Sequence, residues 1–316
     1  MSQIIIRIWK CIKQALPKAG KTCLWLLKII LPISLFVRIL QYSGLLAKFS
    51  AVLEPLFSFI GLPGETAIIY ITSIFCPLYA PIALITSMSL GLREATILSL
   101  MCLTAHNLIV ESAVQAKTGS SFWGITFLRI LMSFVIALVL HWVLPLGGWG
   151  QIGITQSAEV CDNIGEVFIL WFTSSMRVVI SILLIVTALM ILHYVLEEFK
   201  LMKGLSGLCA PFMKIFGLPR DAAFLWLVGN LVGLAYGGAI MIEQMEENKL
   251  SRQNGNLLNY HLAMCHSLLE DTIIFVAIGI PALWLILTRI IFAILVVWLR
   301  RGYEYIYTRK IRHLYE

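Results

Sequence analysis

Charge is what this chain lacks. Only 13% of its 316 residues are Asp, Glu, Lys or Arg, against about a quarter in soluble domains. With 59% hydrophobic residues and a mean hydropathy of +0.90, a soluble globular fold is excluded. No stretch is polar enough to form a separate soluble domain. The seven cysteines (Cys11, Cys23, Cys76, Cys102, Cys161, Cys209, Cys265) show no CxxC spacing. They imply no disulfide framework, and most read as small buried hydrophobes. There is no GxxxxGKS/T loop to cradle a nucleotide, no HExxH zinc helix and no nucleophile motif. The chain is therefore not read as an enzyme, and no cofactor is expected. Its formal charge of +7 is spread over segments flanking apolar blocks instead of one face, which argues against a nucleic-acid partner.

What is present is apolar length. Cys23 to Leu45, Phe122 to Leu144, Val178 to Leu196 and Pro281 to Leu299 are each near the roughly 20 residues that span a bilayer. The basic N-terminus precedes a long apolar block without a small-residue cleavage site, and reads as a retained anchor. Ile4 to Leu16 reads as an amphipathic helix on the inner leaflet, with Arg7, Lys10 and Lys13 on its headgroup face.

The chain also repeats itself. PLFSFIGLP at Pro55 to Pro63 returns as PFMKIFGLP at Pro211 to Pro219, 156 residues later. HNLIVES at His106 to Ser112 returns as HSLLEDT at His266 to Thr272, 160 residues later, and Arg129-Ile130 and Arg289-Ile290 keep that offset. Four identities in one register arise by chance on the order of once in ten thousand trials. Duplicated units in an apolar chain mark a transporter-type fold with its site between the copies.

The basic residues orient the copies. Arg7, Lys10, Lys13, Lys18 and Lys21 precede the first span; Arg300, Arg301, Arg309, Lys310 and Arg312 follow the last. Both termini are therefore expected in the cytoplasm. The connector Gly147 to Glu166 holds Glu159, Asp162 and Glu166 but no Lys or Arg, and belongs outside. Each copy must cross an odd number of times, which makes the two copies inverted. Ala67 to Met88 is interrupted by Pro77 and Pro81, and Ala223 to Gln244 by Gly229, Gly233, Gly237 and Gly238. Such breaks turn a helix into a re-entrant hairpin; a kinked span would give four crossings per copy and place the neutral connector on the basic side. The expected fold is an all-α integral membrane protein of two inverted repeats. Each has three transmembrane helices, an interfacial amphipathic helix ending at Gly-Leu-Pro, and one re-entrant hairpin. Residues 1–145 form the first repeat with the N-terminal amphipathic helix, 146–165 an external connector, 166–302 the second repeat and 303–316 a basic cytoplasmic tail.

Ionisable groups inside a membrane cost about 2–3 kcal/mol or more, so they face a cavity or a partner. The duplicated His motif lies in a third span, Thr96 to Gln115 and Tyr260 to Ile278, where His266 and Glu270 share a helix face. The expected solute site is His106, Asn107, Glu111 and Ser112 facing His266, Ser267, Glu270, Asp271 and Thr272, with Tyr79, Asn230 and Tyr236 from the hairpins. His106, Glu111, His266, Glu270 and Asp271 are also adequate candidates for a divalent cation, although their spacing matches no zinc motif. The same groups could instead bind the two copies to each other by hydrogen bonds.

Gly61 to Ala67 and Gly217 to Ala223 both read Gly-Leu-Pro-x-Glu/Asp-x-Ala, and each is followed by a broken helix. This pattern resembles the nucleoside-recognition, or Gate, domain, a family that includes spore maturation proteins, the membrane part of the ferrous-iron transporter and relatives of concentrative nucleoside transporters. The stretch Gly229 to Leu234 leading to Glu243 to Glu247 resembles the spore-maturation branch. The resemblance implies inverted repeats, re-entrant hairpins and a site between hairpin tips and broken helices. The sodium and nucleoside motifs of the nucleoside transporters have no matching positions here. The expected function is a bacterial inner-membrane carrier that moves a small polar solute, nucleoside-like molecules among the candidates, by alternating access coupled to an ion or proton. The alternatives are a divalent metal-ion permease and a non-transporting membrane scaffold. Expected partners are the lipid bilayer, the solute with its coupling cation or proton, and a second copy or a separate membrane subunit.

Overall fold

The computed structural model describes residues 2–88, 90–147, 150–152, 163–231 and 233–315. Most of the connector expected at 146–165 lies outside the described residues. Among the described residues the chain is almost wholly helical, apart from one antiparallel pairing of two-residue strands, β1 (Leu90–Gly91) with β2 (Gln151–Ile152). Large apolar side chains such as Trp123, Phe127, Trp142, Leu283, Ile291 and Leu295 are exposed, while Arg93, Arg129 and Arg289 are buried. This inversion of the soluble pattern is the signature of a protein whose solvent is lipid. Among the described residues, Phe122–Val143 and Ala282–Ile306 are long and apolar enough to cross a membrane singly. Two bent pairs, Ser50–Phe59 with Gly64–Phe75 and Leu92–Ala105 with Leu108–Lys117, qualify as broken spans.

The chain divides into two compact units. The first holds Met1–Leu108, Ile130–Glu198 and Asp271–Leu285; the second holds Ile109–Arg129, Phe199–Glu270 and Ile286–Glu316. Each unit thus takes in a segment from the other sequence repeat.

In the first unit, α1 (Ser2–Tyr42) and α8 (Ile164–Glu198) run antiparallel. Arg7 Nε reaches Glu198 Oε1 at 2.8 Å, Cys11 Sγ the Tyr194 carbonyl at 3.6 Å, and Trp171 Nε1 donates to Ser34 Oγ at 2.9 Å. The small, buried Cys11, Ala15, Ala19 and Cys23 recur every four residues along α1, a single helical stripe. The separate interfacial helix expected at Ile4 to Leu16 is corrected here: the backbone stays helical through Pro17 and Pro32 as one 41-residue element. Its N-terminal part is held along α8 by these contacts.

The Gly-Leu-Pro motif ends the next helix in both copies by the same geometry. After α2 (Leu45–Phe59), Gly61 adopts φ 75°, Gly61 N–H bonds the Ser58 carbonyl (3.0 Å) and Leu62 N–H bonds Phe57 (2.9 Å). In the second unit, after α9 (Leu201–Cys209) and a 3-10 turn, Gly217 has φ 70°, Gly217 N–H bonds Lys214 (3.2 Å) and Leu218 N–H bonds Met213 (2.8 Å). This is the glycine cap whose left-handed residue satisfies orphan carbonyls. Behind it, Phe57, Tyr70 and Phe134 pack edge-on in the first unit, and Phe216, Trp226 and His261 cluster in the second.

The broken stretches become helix pairs: α3 (Ala67–Phe75) and α4 (Tyr79–Ser87) in the first unit, α10 (Ala223–Leu231) and α11 (Leu234–Glu246) in the second. They are followed by α5 (Leu92–Ala105), α6 (Leu108–Lys117) and α7 (Phe122–Val143) in one repeat. The other repeat continues with α12 (Arg252–Met264), α13 (Leu268–Ala277) and α14 (Ala282–Tyr315).

Candidate functional site

The expected third spans are not continuous. α5 stops at Ala105 and α6 begins at Leu108; α12 stops at Met264 and α13 begins at Leu268. At the breaks, Asn107 (φ 46°) and Ser267 (φ 47°) sit in the left-handed region, which L residues with a side chain seldom adopt. The amides freed by the breaks are satisfied by the hairpin breaks. Asn107 N–H donates to the Ser73 (2.8 Å) and Cys76 (3.2 Å) carbonyls within the first unit. Ser267 N–H donates to the Gly229 carbonyl (2.9 Å) within the second. Ser73 and Gly229 are repeat-related, so the duplicated sequence yields a duplicated backbone staple. Non-helical backbone at membrane depth must be satisfied within the protein, and here it is. His266 and Glu270 therefore do not share a face of one helix, as expected from their spacing, because the break at Ser267 separates them.

In the second unit the break carries buried charge. Glu111, on the first turn of α6, is 2.7 Å from Arg129 of α7 and its Oε2 is 3.2 Å from His266 Nε2. Arg129 is 0% exposed, His266 1% and Glu111 8%, so each charge depends on its partners for the solvation it has lost. His266 Nδ1 lies 2.7 Å from the Leu262 carbonyl; a carbonyl only accepts, so Nδ1 carries hydrogen. The other ring nitrogen, Nε2, is the one that faces the carboxylate. Arg289, 0% exposed, donates from Nε to the Met264 carbonyl at 3.4 Å and from its terminal nitrogen to the His266 carbonyl. It serves carbonyls that the end of α12 leaves without helical donors, where a cation is also favoured by the helix dipole.

In the first unit, His106 Nδ1 faces the Cys102 (3.2 Å) and Leu103 (3.0 Å) carbonyls. His106 and Asp271, both buried, each offer a ligand atom within 4.8 Å of the other. The pairs are crossed: each unit joins the imidazole of one repeat to the carboxylate of the other, Glu111 and Asp271 being equivalent at the offset of 160.

A model of the nucleoside-recognition family matches residues 23–121. An uncharacterized membrane protein of Bacillus subtilis (strain 168), YvoD, is 31% identical over 280 residues, 88% of this chain and 90% of that protein. The chain belongs to the nucleoside-recognition family of membrane proteins. No solved structure matches it.

The remaining expected site residues divide between the units. Tyr79, at the start of α4, and Thr272 are buried in the first. Ser112 and Ser267 are buried in the second, and Glu270 is half-buried there. Asn230 donates from Nδ2 to the Trp226 carbonyl at 2.9 Å, and its Oδ1 faces Cys265 Sγ at 3.7 Å. Asn107 is half-buried, and the Tyr236 side chain lies outside the described residues.

Sequence reasoning used Arg129 and Arg289 only as register marks. Each lies near the middle of an apolar block, and the duplicated pattern is His-x4-Glu/Asp-x17-Arg; a charge there was itself the missed signal. Also missed was a network joining α6 to α12, in which Asn259 Nδ2 donates to the Gln115 (2.9 Å) and Thr118 (3.1 Å) carbonyls. As for metal binding, Arg129 places a fixed positive charge on the Glu111 carboxylate. That disfavours a divalent cation at this pair.

Proposed function

We propose that this membrane protein is a carrier of a small polar solute, working by alternating access in the bacterial cytoplasmic membrane with both termini in the cytoplasm. The observation that carries the reading is the buried Glu111–His266–Arg129 cluster at the break of a membrane-depth helix. Charges desolvated at this cost mark solute and ion pathways more often than packing. The two repeats, 1–145 and 166–302, would be inverted about the connector 146–165, ahead of a basic tail at 303–316. The antiparallel run of α1 and α8, the leading helices of the two repeats, supports inversion. The Glu111–His266 pair sets an imidazole 3.2 Å from a carboxylate, groups suited to proton relay, and this favours proton coupling. Reorganising the crossed pairs would exchange which side the site faces, since each pair binds a piece of one repeat to the other.

The test is uptake of radiolabelled nucleosides, amino acids and carboxylates by proteoliposomes under a proton gradient. Wild type should accumulate at least one of them, and His266→Ala or Glu111→Gln should reduce uptake by tenfold or more. Accumulation that survives both substitutions would remove the site assignment, and no accumulation of any class would remove the carrier reading.

A further inference from the structure

We propose that Ser112 and Gln115, one turn apart on α6, form a hydrogen-bonding subsite for an uncharged O–H- or N–H-bearing group of the solute; the proposal rests on the carrier reading and names what it carries. Among the described residues, the buried charges of the second unit are already matched. Glu111 is engaged by Arg129 and His266, and Arg289 by the Met264 and His266 carbonyls. A charged ligand would find no buried counter-charge left to it in this unit.

The neutral groups are different. Gln115, 0% exposed, donates from Nε2 to the Asn259 carbonyl at 3.0 Å. A carbonyl cannot donate, so this bond fixes which end of the amide is nitrogen and leaves Oε1 as an acceptor. Oε1 is buried and has no hydrogen-bond partner among the described residues. The Ser112 hydroxyl, also 0% exposed, has none either. Helical hydroxyls usually turn back onto the carbonyl four residues earlier, as Thr104 does onto Leu100 at 2.8 Å; Ser112 does not. Positions three apart lie on one helix face with Cβ atoms about 5–6 Å apart. The face so formed offers an acceptor at Gln115 and a donor–acceptor at Ser112, which suits a sugar hydroxyl or an amide edge. Leaving both atoms unmatched destabilises the empty protein, and a ligand that pairs them recovers that loss.

The experiment is thermal unfolding of the full-length protein in detergent with uridine and glucose as neutral probes, and with uridine monophosphate and Mn²⁺ as charged ones. A neutral probe should raise the Tm of wild type, and Ser112→Ala and Gln115→Met should lose that rise. Ser112→Ala should by itself raise the Tm of the unliganded protein, since it deletes an unmatched polar group without touching the Gln115–Asn259 bond. A rise with charged probes alone, or a neutral-probe rise kept by both variants, overturns the proposal. If no probe acts, the unliganded Ser112→Ala protein decides: a higher Tm supports the subsite, an equal or lower one overturns it. Neutral probes that bind without counterflow in proteoliposomes would remove the carrier reading and leave the subsite standing.

Discussion

The two helix breaks share a staple but are built from different materials. In the first unit the hairpin turns at Cys76-Pro77, and Asn107 N–H is shared between two carbonyls, Ser73 and Cys76. In the second the corresponding stretch runs through Gly229, Gly233 and Gly237, and Ser267 N–H has Gly229 as its backbone acceptor. Proline narrows the conformations available before folding, whereas glycine widens them. Proline presets the first hairpin, whereas in the second unit Arg289 holds carbonyls at the α12–α13 break. The same backbone staple is thus flanked by a stiff hairpin in one unit and by a buried cation in the other.

The largest effect that would break this comparison is expected at Arg289. Arg289→Leu strips donors from the Met264 and His266 carbonyls, at roughly 1–3 kcal/mol for each group left unmatched. Hydrogen exchange should then quicken at the α12–α13 break while the α5–α6 break keeps its protection; equal loosening of both would show that the breaks are not independently held. Next comes the hairpin. Gly233 has φ 93°, so Gly233→Ala should cost about 1–2 kcal/mol through left-handed strain, whereas Pro77→Ala should cost less than about 1 kcal/mol, mainly through a freer unfolded chain. Chemical denaturation in mixed micelles gives both values, and a larger loss at Pro77 would reverse the assignment of stiffness. The smallest effect is relief of strain at the break residues. Ser267→Gly should stabilise by a few tenths of a kcal/mol up to about 1, and Asn107→Gly by less, because Asn tolerates the left-handed region better than Ser. Equal gains would erase that distinction.

Much of this was legible in the sequence because the repeats mark it. The Gly-Leu-Pro caps, the interrupted stretches and the His motifs were all readable from residues whose backbone preferences are strong. The third-helix breaks were not, because Asn107 and Ser267 lack the glycine or proline that announces a break. The crossed pairing of Glu111 with His266 was hidden for another reason: it depends on which segment each compact unit takes from the other repeat, a long-range outcome no local spacing encodes. Arg129 and Arg289 were visible but read as register marks, since the burial that gives them meaning appears only with the fold. The unbroken α1 was missed because the basic stretch Ile4 to Leu16 and the apolar block from Cys23 were read as separate elements, whereas contact with α8 runs along both.

The length of α1 has a mechanical corollary. At 1.5 Å per residue its 41 residues extend about 60 Å, twice the hydrocarbon thickness of a bilayer. It is clasped to α8 at Glu198, the last residue of that helix. A load placed on the Arg7 end would be carried into the C-terminal end of α8. The pair is thus a strut longer than the hydrocarbon layer is thick, so part of it must stand clear of the acyl chains.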